Sequence, residues 1–195
     1  MRASVFIHKC ECYCYSKPGT LSAKQKSMKK VIIVEHVSIE VESSFYDFTF
    51  HLEKALGILT SSALQSLGAV PASMVYYLTT TSSESDLMLF NMLFQEDLVK
   101  KGCRRKIRQY QIGNPQIMYR MAESHAGTGL YMPIHLLVYE TTDGRVMVEY
   151  DLPSSLFAQF NNAGIHSDSI TLDNNLIRII QTADGEGCEK SVITK

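Results

Sequence analysis

From Val31 the chain reads V-I-I-V-E-H-V-S-I-E-V-E, an apolar run passing into alternation, the pattern of a strand buried on one face. Ser43 or Ser44 can then cap a helix in which Phe45, Phe48, Leu52, Leu56 and Leu59 recur at spacings of three and four. Gly68 and Pro71 end any continuation. Residues 72–85 are undecided: Met74 to Leu78 reads as a short strand or a helical turn, and the Thr/Ser run after it as a loop. In "DLMLFNMLFQ" a strand would place Leu87, Leu89, Asn91 and Leu93 on one face and Met88, Phe90, Met92 and Phe94 on the other. "EDLVKKGC" predicts a short helical turn stopped by Gly102, and "RRKIRQYQI" alternates again.

Gly113-Asn114-Pro115 marks a switch from strand to helix. Asn114 suits the cap, and proline suits the first helical position because its missing N–H has no helical partner to lose. The helix "QIMYRMAES" is broken at Gly127 and Gly129. "YMPIHLLVYE", "TTDG" and "RVMVEYDL" then form a hairpin about Asp143-Gly144. Pro153 opens another helix, and a last amphipathic one covers Leu172, Leu176, Ile179 and Ile180. This order implies an α+β fold, a mainly antiparallel sheet with helices packed on one face. One domain is expected over residues 29–183, with a disordered N-terminal extension over 1–28 and a flexible tail over 184–195. Met28-Lys29-Lys30-Val31 reads like a natural start, so the extension could come from an upstream start site.

Composition narrows the functional classes. The apolar fraction is 45% and the charged fraction 20%, as in ordinary globular chains, and a net charge of −1 speaks against a protein that holds nucleic acid by neutralising phosphates. No run approaches the ~18 apolar residues that cross a bilayer, and Val5-Phe6-Ile7 is too short for a secretory signal. The expectation is a cytoplasmic protein with neither membrane nor nucleic acid among its partners. Cys10, Cys12 and Cys14 form C-x-C-x-C, but no second C-x-x-C or C-x-x-H pair completes a zinc set, so exposed thiols on the extension are the better reading. No metal and no cofactor is expected. The methionines read as core filler, and His51 as a packing or surface residue. The basic residues Lys100, Lys101, Arg104, Arg105, Lys106 and Arg108 read as a solvated strand edge that discourages edge pairing.

Polar groups near strand ends supply the candidate site. These are Asn114, His125, Tyr131, His135, Tyr139, Tyr150, Asp151 and Ser154, with Glu140 and Ser155 beside them. Pairing the hairpin about Asp143-Gly144 leaves Tyr150 and Asp151 near Pro133 and His135. A hydrolase or lyase could use His135 or His125 with Asp151, and Ser154 as nucleophile. Capping offers the economical account: Asp151 and Ser154 at the helix opened by Pro153, and Asn114 at the helix opened by Pro115.

"RQYQIGNPQIMYRM", "GLYMPIHLLVYETTDGRVMVEYDLPSSL" and the upstream "HLEKALG" and "DLMLF" together resemble the domain of unknown function 302 family over about residues 31–180. The resemblance implies a compact α+β domain grouped with TATA-box-binding-protein-like folds, often dimeric, with no settled activity. Relatives often carry Asp-His-Gly where this chain has Gln95-Glu96-Asp97, and Arg-His-Asp where it has Glu123-Ser124-His125. If those histidines do chemistry in relatives, this protein lacks one and carries the other displaced. The sequence therefore favours a homodimer that acts as a small-ligand-binding or interaction module over a catalyst. The ligand and any catalytic residue stay unassigned.

Overall fold

The computed structural model describes residues 29–58, 86–94 and 106–185, with the backbone of residues 4–6. The stretch 72–85, the turn over "EDLVKKGC", Lys100 to Arg105 and all five cysteines lie outside the described residues.

The strands are β1 (Ser4–Phe6), β2 (His36–Val41), β3 (Gly57–Ile58), β4 (Met88–Phe94), β5 (Ile107–Gly113), β6 (Ile134–Glu140) and β7 (Val146–Asp151). The helices are α1 (Phe45–Ala55), α2 (Pro115–Ser124), α3 (Pro153–Phe157) and α4 (Ala163–Gly185). Short 3-10 turns over Ala126–Tyr131 and Ala158–Phe160 follow α2 and α3. The strands form one sheet in the order β1-β2-β7-β6-β5-β4-β3. Every pairing is antiparallel except the two-residue contact of β3 with β4.

Successive strand residues point to opposite faces, so the register sorts the side chains. Ile112, Ile134, Leu136, Val138, Val146, Val148 and Tyr150 are buried on one face. Phe45, Phe48 and Leu52 of α1 and Leu172, Leu176 and Ile179 of α4 close over them, each with no exposed surface. Burying one such side chain contributes about 1.5–3 kcal/mol. Ile117 and Met121 of α2 complete the same core. The fold is thus α+β, a largely antiparallel sheet with helices on one side.

The starts of α1, α2 and α4 each have a side-chain cap. Ser44 Oγ accepts from Asp47 N at 3.3 Å ahead of α1, and Asn162 Oδ1 accepts from Ile165 N at 3.0 Å ahead of α4. Asn114 Oδ1 accepts from both Gln116 N (2.9 Å) and Ile117 N (3.1 Å), while its amide donates to the Asp86 carbonyl at 2.9 Å. At the far end of α4, Asp184 Oδ1 accepts from Glu42 N (3.0 Å) and Ser43 N (2.9 Å), and the Ser43 hydroxyl donates to the Asp184 carbonyl at 3.1 Å. The close of the last helix is therefore tied to the turn that opens the first.

Three readings of the sequence are corrected by the register. The first strand is shorter than its apolar run: Val31 and Ile33 are 93% and 79% exposed and precede β2. The regular alternation expected in β4 fails at a bulge between Leu89 and Asn91, which pair with Ile112 and Gln111. One extra residue rotates the strand. Leu89 therefore packs on the core, whereas Asn91 and Leu93 share the other face. Lys106 and Arg108 are not at a free edge, because β5 lies between β4 and β6. Lys106 Nζ meets Glu140 Oε2 at 2.7 Å, and Arg108 Nη1 meets Glu53 Oε1 at 3.0 Å beneath α1.

Candidate functional site

The face of the sheet opposite the helices carries the polar phase of the alternation. His36 pairs with Asp151, Gln111 with His135, and Asn91 with Gln111. Leu137 pairs with Glu149, so two residues further along the hairpin His135 comes level with Asp151. His36, Asp151, His135, Gln111 and Asn91 thus form one row across five neighbouring strands. The adjacent row holds Ser38, Glu149, Leu137, Gln109 and Leu93, and the next Glu40, Met147, Tyr139 and Ile107. Leu137, Met147, Tyr139 and Ile107 are half-buried, and Leu93 is 44% exposed.

Within this surface a hydrogen-bonded chain links three strands. The His36 Nδ1–H donates to Asp151 Oδ1 at 2.9 Å, and its Nε2 stands 3.5 Å from Glu149 Oε2. Glu149 Oε1 accepts from the Tyr139 hydroxyl at 2.7 Å and from the Ser38 hydroxyl at 3.1 Å. The bond to Asp151 is the largest influence on the His36 imidazole; with the charges of both carboxylates it raises the pKa, against an opposing effect of burial. Burial, then the bond to Glu149, pushes the Tyr139 phenol up to about 12. In the first row the Gln111 amide donates to His135 Nε2 at 3.0 Å.

The residues that the sequence puts forward are dispersed. Asp151 takes His36 as its imidazole partner, while His135 meets Gln111. His125 takes other partners: it follows α2, its Nδ1 accepts from Gly127 N at 3.0 Å, and its ring lies 4.7 Å from that of Phe160. A Cβ on Gly127 would stand 2.9 Å from the His125 ring and 3.2 Å from Phe160, so this close approach requires glycine. Tyr131 joins the same aromatic group, edge-on to Phe157 and Phe160 at 6.2 Å each. Tyr150 is in the core, its phenol pushed up to about 12 by burial and by the charge of Asp173. Asn114 follows β5 directly and caps α2.

Ser154 is neither a nucleophile beside a base nor the cap of α3. Leu152 holds the cap position without a side-chain bond, and Asp173 of α4 accepts from Ser154 N at 3.1 Å instead. Asp151 does not cap α3 either. Its carboxylate belongs to the sheet face, because β7 continues through it. His36, Glu149, Gln111 and Asn91 are among the members of the polar rows that sequence reasoning did not select, as are Ser38, Gln109 and Glu40. Their signal was present as the polar phase of the strand alternation, but only strand order brings them together.

A cleft of about 680 Å³ opens beside the hairpin, between Glu40, Glu42, Ser43, Glu140 and Arg145. Several of its charges are already engaged: Arg145 meets Glu40 at 3.3 Å and Asp143 at 2.7 Å, and Glu140 meets Lys106. Among the described residues, no three His, Cys, Asp or Glu side chains are placed to hold one metal ion. Nor is any described helix long and apolar enough to cross a membrane.

A largely antiparallel sheet whose described helices all pack on one face defines an α+β domain. Residues 75–183 match the family described as "Domain of unknown function DUF302", and the chain belongs to that family. It is similar in fold to an uncharacterized conserved DUF302 protein from Bacillus stearothermophilus, known from a crystal structure. The two share 12% identity at a TM-score of 0.55, over 76% of this chain and 97% of that one. No curated protein matches the chain.

Proposed function

We propose that this chain is an interaction module that pairs with a second copy of itself through the open face of the sheet. The observation that carries this reading is the make-up of that face. Half-buried Leu137, Met147, Tyr139 and Ile107, with the exposed Leu93, form an apolar centre beside a row of amide, imidazole and carboxylate groups. An apolar centre with a polar border is the usual anatomy of an association surface. The face also holds donors and acceptors, and both signs of charge, side by side: His36 with Asp151, and Arg145 with Glu40. Such a mixture is self-complementary, as a two-fold interface requires.

The same chemistry favours association over catalysis. A nucleophile needs a base within hydrogen-bond reach, and among the described residues no serine side chain is hydrogen-bonded to an imidazole. Both nitrogens of His36 face carboxylates, an arrangement that favours the protonated imidazole and makes it a poor base for a nucleophile.

Sedimentation velocity of the full chain tests this reading. The expected result is a species of twice 21.9 kDa that Leu137→Glu or Leu93→Lys converts to one of 21.9 kDa, with unchanged circular dichroism. A carboxylate left unpartnered at the centre should weaken association by about a hundredfold. A wild-type chain that sediments as a monomer at tens of micromolar would overturn it.

A further inference from the structure

We propose that self-association through the open face is gated by the proton on His36, which holds Asp151 and Glu149 together as a weakly charged cluster. The inference rests on the interface reading above, and names its regulation.

Glu149 and Asp151 stand two residues apart on β7, so both project from the same face. His36 on β2 lies between them, 2.9 Å from one carboxylate and 3.5 Å from the other. Among the described side chains, the other groups facing this cluster are Tyr139 and Ser38, which donate to Glu149, His135 on β6, and Glu40 on β2, which is turned to Arg145. With the imidazole protonated, the trio carries one net negative charge; without the proton it carries two. Across a two-fold axis each value is doubled, and the repulsion between copies rises with the product of the charges.

The direction of the switch follows from the partner chemistry. The hydrogen bond to Asp151 and the two carboxylate charges raise the imidazole's pKa from its ordinary value of 6.5, so the cluster keeps its proton to higher pH than a free imidazole would. As pH rises past the raised value one imidazole proton leaves; the remaining N–H still serves Asp151 and the Tyr139 and Ser38 hydroxyls still serve Glu149, but the cluster now presents two net negative charges to its counterpart. Association is therefore tight on the acid side and weak on the alkaline side. His36 and Asp151 are 49% and 57% exposed, so solvent and salt temper the effect, and added salt should shrink it.

The test measures dimer dissociation of the full chain by sedimentation at about pH 6 and about pH 8.5, either side of an imidazole transition. The expected weakening is about tenfold for the wild type. His36→Gln should remove that dependence, whereas His135→Gln, which alters the other imidazole of the face, should keep it. Equal affinity at both pH values, or a dependence that survives in His36→Gln, would overturn the gate while leaving the interface standing. A chain monomeric at both values would overturn the interface, and the gate with it. An NMR titration of His36 in the Leu93→Lys chain, whose substitution lies away from the cluster on β4, then shows whether the carboxylate clamp raises its pKa in the isolated subunit.

Discussion

Tyr110 has no exposed surface, yet its hydroxyl finds Glu53 Oε1 at 2.8 Å beneath α1. The same carboxylate oxygen receives Arg108 Nη1, which also donates to Thr49 Oγ1 at 2.9 Å. The Arg108 guanidinium lies 5.4 Å from the centre of the Phe45 ring. Glu53 therefore joins a strand to a helix through two donors, and burial, helped by this carboxylate, raises the Tyr110 phenol. Glu53→Ala would leave the phenol and the guanidinium short of an acceptor in a largely desolvated place. The expected loss is about 2–3 kcal/mol in urea denaturation, well above the ~0–1 kcal/mol of a surface ion pair. Glu53→Gln, which keeps an acceptor, should lose less. Of this cluster the sequence shows only a basic run and a tyrosine in an alternating strand. Glu53 is more than fifty residues away, and nothing local marks it as their partner. The His36 pairing was hidden for the same reason: Asp151 has two imidazoles near it in space, and the sequence offers only the one across its own hairpin.

Elements with strong local chemistry were legible. Asn114-Pro115 starts α2 as its residues predict, and Asp143-Gly144 turns the hairpin, with Gly144 at φ +85°. Replacing Asn114 by alanine removes two accepted N–H bonds and the link to the Asp86 carbonyl. The expected cost is about 1–2 kcal/mol, read as a lower urea midpoint with unchanged slope. The start of α3 was misread, because its cap comes from α4. Asp173 serves from a distance, and burial raises its pKa even as the bonds from Ser154 lower it. β4 was misread for a different reason. A bulge leaves no mark in a uniformly apolar run, since either phase of "MLFNMLF" looks equally buried.

At the scale of the whole molecule, the α+β class followed from element order alone, and the family resemblance was carried by the hairpin and the strand-to-helix switch. Strand order was not legible, because β2 reaches β7 across most of the chain. That long-range pairing assembles the open face and its polar rows. It also brings into the core Val41, Phe45, Phe48 and Leu52, which precede the residues that match the family. The folding unit is therefore larger than the matched span.

The hydrogen bonds from Glu42 and Ser43 to Asp184 carry a consequence for how the molecule opens. Helix ends usually fray independently, and their amides exchange with solvent at little energetic cost. Here the last turn of α4 and the entry to α1 share one carboxylate, so neither can loosen without releasing the other. In native-state hydrogen exchange the amides of Glu42 and Ser43 should exchange together with those of the final turn of α4, with a single opening free energy. Asp184→Ala should lower that protection at both places at once, by about tenfold or more, and leave the hairpin amides unchanged. The entry to α1 and the end of α4 would then behave as one latch.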